Sequence, residues 1–204
     1  MSRRRSQQTL ERLRAAARDC RSCDLWRPAT QTVFGEGPAD SRRMIVGEQA
    51  GDQEDRQGHP FVGPSGRLLE KTLAEVGLER DALYVTNVVK HFKFELRGKR
   101  RLHQRANAAE INACMQWLDG EMEAIRPRYV LCLGALAAKM VIGSDFRLTR
   151  QRGTWIRIGA DQWALATTHP AYVLRLSASA NRESARAAFL SDLTRFAGTP
   201  DEEA

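Results

Sequence analysis

One stretch of this chain, residues 129–134, limits the choice of folds more than any other. It reads Tyr-Val-Leu-Cys-Leu-Gly and contains no charged side chain. An apolar run without polar alternation is typical of a strand buried on both faces, and such strands occur in parallel sheets that helices cover. The stretch therefore predicts an α/β fold with helices on both faces of the sheet.

Other strands and helices alternate around this stretch. The sequence predicts strands at residues 44–47, 84–89, 129–134 and 163–167, and helices at residues 7–18, 66–76, 111–125, 135–141 and 182–196. We expect a three-layer α/β/α sandwich with a central, mostly parallel sheet of four strands. Because such sheets bind ligands at the carboxyl ends of their strands, the loops after Val46, Val89 and Thr167 should converge.

The composition fits one domain with a polyanionic partner. With 204 residues, 42% of them hydrophobic, residues 1–204 are expected to form a single domain whose ends, 1–6 and 198–204, are loosely held. The formal charge of +7 favours nucleic acid as the partner. No apolar run approaches the roughly 20 residues of a membrane span, and the arginine-rich start lacks the apolar segment of a signal peptide. We expect a cytoplasmic monomer.

A basic segment at residues 99–105 places one histidine, His103, among Lys and Arg side chains. Asn107 and Glu110 form the N-cap and N3 pair of a helix start, so we expect His103 on the loop before that helix. Positive charges attract phosphate and disfavour protonation of an imidazole. The segment predicts a neutral, nucleophilic histidine beside a nucleic-acid backbone; the alternative is a solvated loop that only adds affinity. The cations expected to hold phosphates are Lys99, Arg100, Arg101 and Arg105, with Arg100 and Arg101 keeping the histidine unprotonated.

The four cysteines leave two interpretations open. Cys20 and Cys23 form a C-x-x-C that follows a predicted helix, whereas a redox C-x-x-C normally opens one. A metal or iron–sulfur site commonly uses four thiolates, which is the number in this chain. Cys114 and Cys132 are spaced unlike a zinc ribbon and lie in apolar stretches, where free cysteine is common. A shared cluster and buried free thiols are equally compatible with the spacing.

Four segments in order along the chain resemble the iron–sulfur uracil-DNA glycosylases of family 4. They are Gly-Glu-Gln-Ala-Gly-Asp-Gln-Glu-Asp at 47–55, the segment 58–69, Tyr-Val-Thr-Asn at 84–87 and His-Pro-Ala-Tyr-Val-Leu-Arg at 169–175. The resemblance covers about residues 20–195. Ala50 stands where the family usually has proline, and we expect little effect from this difference. The insertion Lys-Arg-Arg-Leu-His at 99–103 resembles the UdgX branch, whose members become covalently linked to DNA.

The resemblance implies the fold, the cofactor and the activity. It implies the α/β/α fold of uracil glycosylases and a structural 4Fe–4S cluster held by Cys20, Cys23, Cys114 and Cys132. The implied activity is excision of uracil from DNA, single-stranded or with the base flipped from a duplex. His103 would attack C1′ of the sugar as uracil departs and stay covalently linked to it, so that the enzyme turns over once. Alternatives are an ordinary hydrolytic family 4 glycosylase and a non-catalytic iron–sulfur protein that binds DNA or transfers electrons.

The resemblance also implies roles for the pocket residues. Phe61 would stack on uracil and Gln49 would shape the pocket, while Asn87 would donate to O4 and accept from N3–H. His169 would donate to O2 of the departing base. Glu48 and Asp52 would orient a water or stabilise the cationic sugar, whereas Glu54 and Asp55 are expected to be solvated. The remaining DNA contacts would come from Tyr172, Leu174 and Arg175, which resemble a loop that presses into DNA, and from Ser65 at a helix N-terminus.

Overall fold

The computed structural model describes residues 3–200 of the protein, and five strands form its central sheet. The sheet strands are β1 (Arg43–Gln49), β2 (Tyr84–Val89), β5 (Tyr129–Leu133), β6 (Trp155–Gly159) and β7 (Gln162–Thr167), and a separate hairpin contains β3 (Phe94–Arg97) and β4 (Arg100–His103). The order in the sheet is β2-β1-β5-β7-β6. All its neighbours are parallel except β6 and β7.

Eight helices surround the sheet in the described residues. They are α1 (Arg3–Arg18), α2 (Asp52–Gln57), α3 (Pro64–Glu75), α4 (Ala108–Ile125), α5 (Ala135–Val141), α6 (Leu148–Gln151), α7 (Pro170–Arg175) and α8 (Ser179–Ala197). Asn107 caps α4 through the predicted capping box, since its side chain accepts from the Glu110 N–H and the Glu110 carboxylate accepts from the Asn107 N–H. None of the helices described between residues 3 and 200 is long and apolar enough to cross a membrane.

Alternate residues of the strands build two cores. Met44 and Val46 of β1 pack with α1, α4 and α5 on one face, whereas Ile45 packs with α3, α7 and α8 on the other. β2 and β5 are buried along their whole lengths, as the apolar runs predict. The structure therefore confirms the three-layer α/β/α arrangement with a mostly parallel sheet.

Three features differ from the prediction. The sheet has five strands rather than four, because the antiparallel strand β6 lies at its edge and is only partly buried. His103 ends a hairpin strand instead of lying on a loop. Helix α1 begins at Arg3 and buries Ser6, so the described part of 1–6 is helical rather than loose. Residues 198–200 are described, with Pro200 buried; residues 1–2 and 201–204, expected to be loosely held, lie outside the described residues.

Candidate active site

A cavity of about 700 Å³ opens near the carboxyl ends of β1 and β7. The predicted site residues that line it are Glu48, Gln49, Asp52, Phe61, Ser65, Asn87, His103, Arg105, His169 and Arg175. Sequence reasoning missed other lining residues, among them Ala106, Ile111 and Leu136. Glu54, which was expected to be solvated, also lines the cavity and accepts from the Gly63 N–H. Residues separated by more than 100 positions thus meet in one site, because the parallel strands end on the same side of the sheet.

Asn87 and Phe61 meet across Gly47. Asn87 is buried in β2, where it pairs in register with Gly47 of β1. A Cβ atom on Gly47 would collide with Asn87 Oδ1 and lie 2.5 Å from Phe61 Cζ. Phe61 itself has a φ of 59°, in the left-handed region, and its carbonyl occupies the place of a Cβ on Gly66. The two glycines therefore permit an amide and an aromatic ring to be packed together at the cavity.

His169 follows β7 and caps helix α7. Its Nδ1 accepts a hydrogen bond of 3.1 Å from the Ala171 N–H, and its ring stacks on Phe61 with centroids 6.2 Å apart. Burial lowers the pKa of His169 to about 4, and the positive charge of Arg175 contributes. The imidazole is therefore neutral at pH 7. Because Nδ1 is the acceptor, the proton is on Nε2, which is left as a donor.

His103 reaches the cavity at the end of β4, where it pairs with Phe94 of β3. Its ring lies 5.9 Å from that of Phe92. Partial burial lowers the pKa of His103, and the charges of Arg175 and Arg105 lower it further. The predicted direction of the shift is confirmed. Of the predicted basic segment only Arg105 contributes; the roles expected of Arg100 and Arg101 in lowering the pKa are wrong.

Arg101 anchors the hairpin to the rest of the protein. Its Nε donates to Asp52 Oδ1 at 2.5 Å and its Nη1 to Asp55 Oδ2 at 2.7 Å. The guanidinium also lies over the rings of Phe92 and Phe94, 5.2 and 4.9 Å from their centroids. Arg101 is thus engaged within the protein, in place of the phosphate contact that the sequence predicts.

The two acids that Arg101 binds differ from expectation. Asp55 is fully buried rather than solvated, and its carboxylate also accepts from the N–H and hydroxyl of Thr30. At Asp52, burial opposes ionisation, yet hydrogen bonds from Arg56 and Arg101 lower the carboxyl pKa overall. Since both Asp52 oxygens accept from arginine, this carboxylate is occupied by ion pairs even though it lines the cavity.

Glu48 and Gln49 are fixed by backbone groups. Glu48 Oε1 accepts from the Leu136 N–H at 3.0 Å, at the first turn of α5. Gln49 Oε1 accepts from the Ala106 N–H at 3.1 Å, and its Nε2 donates to the His91 carbonyl at 3.4 Å. The Gln49 amide thereby joins β1 to the segments on both sides of the hairpin. Glu48 places a carboxylate in the cavity at a helix N-terminus, where the helix dipole favours negative charge.

The remaining predicted DNA contacts lie on the surface. Tyr172 and Leu174 of α7 are 47% and 45% exposed, which is unusual for large hydrophobic side chains. Lys99 and Arg100 are exposed at the tip of the hairpin, beside Leu96, which is 66% exposed and was not predicted. Ser65 lies in the first turn of α3 and lines the cavity. The exposed hydrophobic side chains and the cations thus lie together on the surface of α7 and the hairpin.

The four cysteines do not form one group. Cys132 pairs in register with Val46, which pairs with Thr86 of β2. Lys90, whose N–H donates to Cys114 Sγ at 3.2 Å, lies four residues beyond Thr86. With about 4.8 Å between strands and about 3.3 Å per residue, Cys132 is about 16 Å from Lys90. The expectation that Cys132 joins a cluster with the other three is wrong.

Cys20, Cys23 and Cys114 do lie in one region. Burial raises the pKa of the Cys114 thiol to about 11, and Cys23 and Cys20 contribute to the increase as nearby negative groups. Between residues 3 and 200, no three His, Cys, Asp or Glu side chains are close enough to hold a single metal ion. A cluster of four irons needs its ligands further apart, because each binds a different iron. Three neighbouring thiols, two on the C-x-x-C and one on α4, fit such a cluster in their donor chemistry.

Comparison with known proteins agrees with this fold and site. The sequence profile of the uracil DNA glycosylase superfamily matches residues 34–194. The type-4 uracil-DNA glycosylase of Thermotoga maritima is 33% identical over 170 residues, which cover 83% of this chain and 85% of that protein. The type-4 enzyme of Pyrobaculum aerophilum is 32% identical over 196 residues, with 93% of each chain covered. That of Sulfurisphaera tokodaii is 34% identical over 174 residues, 81% of this chain and 76% of the relative. The chain belongs to the uracil-DNA glycosylase superfamily.

Proposed function

We propose that the protein excises uracil from DNA by breaking the bond between C1′ of the sugar and N1 of the base. The observation that supports this most directly is the meeting of Asn87, Phe61 and a neutral His169 in one cavity. Together they supply an amide that can recognise the base by hydrogen bonds, an aromatic face and a hydrogen-bond donor. The type-4 uracil-DNA glycosylases among the relatives support the same substrate.

Recognition rests on Asn87 and Phe61. The Asn87 amide donates to O4 of uracil and accepts from N3–H, whereas cytosine offers a donor and an acceptor in the opposite places. A mismatched base leaves the amide unpaired, and an unpaired buried polar group costs about 1–3 kcal/mol. The ring of Phe61 provides a face on which the flipped base stacks.

The departing uracil takes the electron pair of the C1′–N1 bond and becomes an anion. The Nε2–H of His169 donates to O2 of this anion and stabilises the charge as it develops. A neutral imidazole suits this role, because at pH values well above its pKa of about 4 the ring carries one N–H and no charge. The proton stays on Nε2 because Nδ1 is held by the Ala171 N–H.

The acceptor at C1′ is the finer part of the proposal. A neutral His103 attacks C1′ with the lone pair of its unprotonated ring nitrogen, forming a nitrogen–carbon bond while the bond to uracil breaks. The resulting imidazolium loses its remaining N–H proton to water. The lowered pKa of His103 and its place on the cavity wall support this step.

Hydrolysis is the competing outcome, and Glu48 favours it. Its carboxylate lines the same cavity and is fixed by the Leu136 N–H, so it can orient a water towards C1′. In that case the enzyme releases a free abasic site, as an ordinary family 4 glycosylase would. Asp52 is a weaker candidate for the same role, since both its oxygens accept from arginine.

A denaturing gel separates these outcomes. Uracil-containing single-stranded DNA is incubated with the protein and run in detergent after heating. A shifted band indicates the covalent adduct, and His103→Ala should remove it, whereas His59→Ala, which changes an exposed histidine paired with Glu36, should not. Free abasic DNA without a shifted band establishes hydrolysis instead. If uracil-containing DNA yields neither the adduct nor free abasic DNA, the proposed activity is overturned.

We further propose that DNA crosses the surface formed by the hairpin tip and α7. Lys99, Arg100 and Arg105 supply positive charge, while Tyr172, Leu174 and Arg175 lie beside the cavity through which the base enters. Ser65 offers a contact at the N-terminal turn of α3. A 4Fe–4S cluster at Cys20, Cys23 and Cys114 would supply structural support by joining the segment after α1 to α4; base excision needs no redox step.

A further inference from the structure

The tip of the hairpin displays one large hydrophobic side chain among cations. Leu96 is 66% exposed although it lies in strand β3. Residues 96–100, Leu-Arg-Gly-Lys-Arg, contain three cations and no acid. We propose that Leu96 is an apolar wedge that packs against a DNA base within two nucleotides of the uracil. This inference rests on the uracil-DNA activity proposed above, and it adds a contact that the positive charges of the hairpin do not provide.

The register of the hairpin places Leu96 on the same face as His103. Leu96 of β3 pairs with Arg101 of β4, and two residues further from the turn Phe94 pairs with His103. Because alternate residues of a strand point to the same side, these four side chains share one face. Leu96 and His103 are diagonal neighbours on it, and such neighbours are about 7–8 Å apart. A DNA strand held with C1′ of the target at His103 therefore passes within reach of Leu96.

The inner part of this face is packed, and its outer end is open. The guanidinium of Arg101 lies 4.9 Å from the ring centroid of Phe94, which stacks on Phe92 with centroids 5.2 Å apart. Arg101 also donates to Asp52, which lines the cavity. Leu96 is directly opposite Arg101, yet it projects beyond the aromatic packing into solvent. Its side chain is therefore at the rim of the cavity.

The turn presents Leu96 on a closed hairpin. Arg97 pairs with Arg100 across two residues, the first of which, Gly98, has a φ of 60°. A glycine in this conformation at the first central position is typical of a type II′ turn, whose twist matches that of the flanking strands. Because the hairpin is already formed, little conformational entropy is lost when Leu96 makes a contact.

Exposed large hydrophobic side chains are confined to two elements. In the part of the chain that the structure describes, they are Leu96 on the hairpin and Tyr172 and Leu174 on α7. The two elements come close at the cavity, since the charge of Arg175 on α7 lowers the pKa of His103 on the hairpin. Single exposed hydrophobic residues are ordinary on a protein surface, but three that border one opening indicate an interaction site.

The charge around Leu96 favours DNA as its partner. The cations of residues 96–100 attract phosphate, whereas a second copy of the chain, itself carrying a formal charge of +7, would be repelled. Leucine has no atom that binds phosphate, but leucine wedges do enter base steps and unstack them. Stacked bases are about 3.4 Å apart along a strand. A side chain about 7–8 Å from the nucleophile thus reaches the first or second neighbour of the uracil.

The test measures binding and base stacking together. The probe is single-stranded DNA with one uracil on a 2′-fluoro sugar, because the fluorine destabilises the cationic sugar and blocks excision. 2-Aminopurine, a base whose fluorescence rises when it loses a stacking neighbour, is placed one or two nucleotides from the uracil or, as a control, far from it. Leu96→Thr keeps a strand-forming residue but removes the apolar tip, whereas Leu96→Met keeps an apolar tip. Arg100→Gln removes a cation from the same hairpin.

We expect fluorescence to rise on binding only where 2-aminopurine is near the uracil. Leu96→Thr should lose this rise and about tenfold in affinity. The loss should be the same at every salt concentration, because no phosphate contact changes. Arg100→Gln should instead lower the salt dependence by about one counterion. Leu96→Met should behave as the unchanged protein.

The possible results separate the wedge from the activity. If Leu96→Thr matches the unchanged protein in affinity and fluorescence while uracil is still excised, the wedge is wrong and the activity stands. A loss in Leu96→Thr that disappears at high salt would also overturn the wedge. Association between copies that Leu96→Thr abolishes, with DNA binding unaltered, would assign Leu96 to that contact instead. If the unchanged protein neither binds nor excises uracil in DNA, the proposed activity is overturned and the wedge with it.

Discussion

The guanidinium of Arg101 donates to the carboxylate of Asp55 at 2.7 Å, and Asp55 is fully buried. This ion pair joins the hairpin of β3 and β4 to α2. A two-stranded hairpin has little stability of its own in water. The position of His103, at the end of β4, therefore depends on a contact made two residues earlier in the same strand.

Replacing Arg101 with glutamine should release the hairpin. The change leaves the buried Asp55 carboxylate without its ionic partner, and loss of one partner from a buried pair typically costs about 3–5 kcal/mol. We expect faster amide exchange in residues 94–103 and a lower yield of any product that requires His103. Hydrogen exchange measured by mass spectrometry checks the first effect. Arg100→Gln is the matched control, because Arg100 is exposed, and equal exchange in both variants would contradict the anchoring role.

The low pKa of His169 predicts how the enzyme responds to acid. With a pKa of about 4, the imidazole is still largely neutral at pH 5, so its contribution to excision should persist there and fall only near pH 4. Single-turnover rates between pH 4 and 8 measure this, with ¹⁵N NMR of the ring to follow its protonation directly. A ring that titrates near pH 6.5 would contradict the expected environment.

The same shift affects stability. In the unfolded chain a histidine binds a proton below about pH 6.5, whereas the folded protein resists protonation of His169 until about pH 4. Between these values the unfolded state binds more protons, so stability falls as the pH is lowered through this window. Urea unfolding at pH 7 and pH 5 should show a smaller acid-induced loss for His169→Gln than for the unchanged protein.

The buried strands could be predicted because a continuous apolar run in the sequence identifies such a strand without knowledge of the strands that pair with it. Strand β2 runs from Tyr84 to Val89 as predicted, and all six residues are buried. Strand β6 was missed because Trp155–Gly159 includes an exposed Arg157 and lies at the edge of the sheet, where it pairs with a single strand, β7. In such a strand the sequence lacks a continuous apolar run, so only the pairing reveals it.

The hairpin of β3 and β4 and the ion pair between Arg101 and Asp55 could not be predicted from the sequence, for another reason. Half of the hairpin residues are charged and most are exposed, so no apolar periodicity indicates β3 and β4. Asp55 belongs to a polar stretch that is typical of a solvated loop, yet it is buried by its pairing with Arg101, 46 residues away. Local patterns do not report contacts of that separation. In contrast, Asn87 and His169 were identified because the segments 84–87 and 169–175 resemble those of family 4 glycosylases, and the fold brings both side chains to one cavity.

Gly47 should be required for uracil to enter. A Cβ there would collide with Asn87 Oδ1 and lie 2.5 Å from Phe61 Cζ, so Gly47→Ala must displace the groups proposed to read and stack the base. We expect excision to fall by about 100-fold or more, because the Asn87 amide would be displaced, and a displacement of about 1 Å can cost that much in rate. Gly198→Ala is the control, because its Cβ would meet only the Arg195 carbonyl at 3.4 Å. Equal activity of the two variants would contradict the arrangement.

The buried pair of Lys90 and Glu121 should be essential to the strand that carries Asn87. Both side chains are fully buried, their charged groups lie 2.6 Å apart, and Lys90 Nζ also donates to the Asn87 carbonyl at 2.7 Å. Glu121→Gln removes the counter-charge of a buried ammonium, so we expect a loss of about 3–5 kcal/mol in the free energy of unfolding. Urea unfolding measures it.

A double variant distinguishes the charge from the packing. Lys90→Met with Glu121→Leu removes both charges and keeps similar volumes, and such replacements of buried pairs are often neutral or stabilising. We expect it to recover only part of the stability that Glu121→Gln loses, because the Gly35 N–H and the hydroxyls of Tyr84 and Thr86, which donate to Glu121, are left without this acceptor. Excision should recover less, because the Asn87 carbonyl no longer receives the Lys90 hydrogen bond and the Asn87 amide is less firmly placed. Full recovery of both stability and the preference for uracil over cytosine would show that the ion pair serves packing alone.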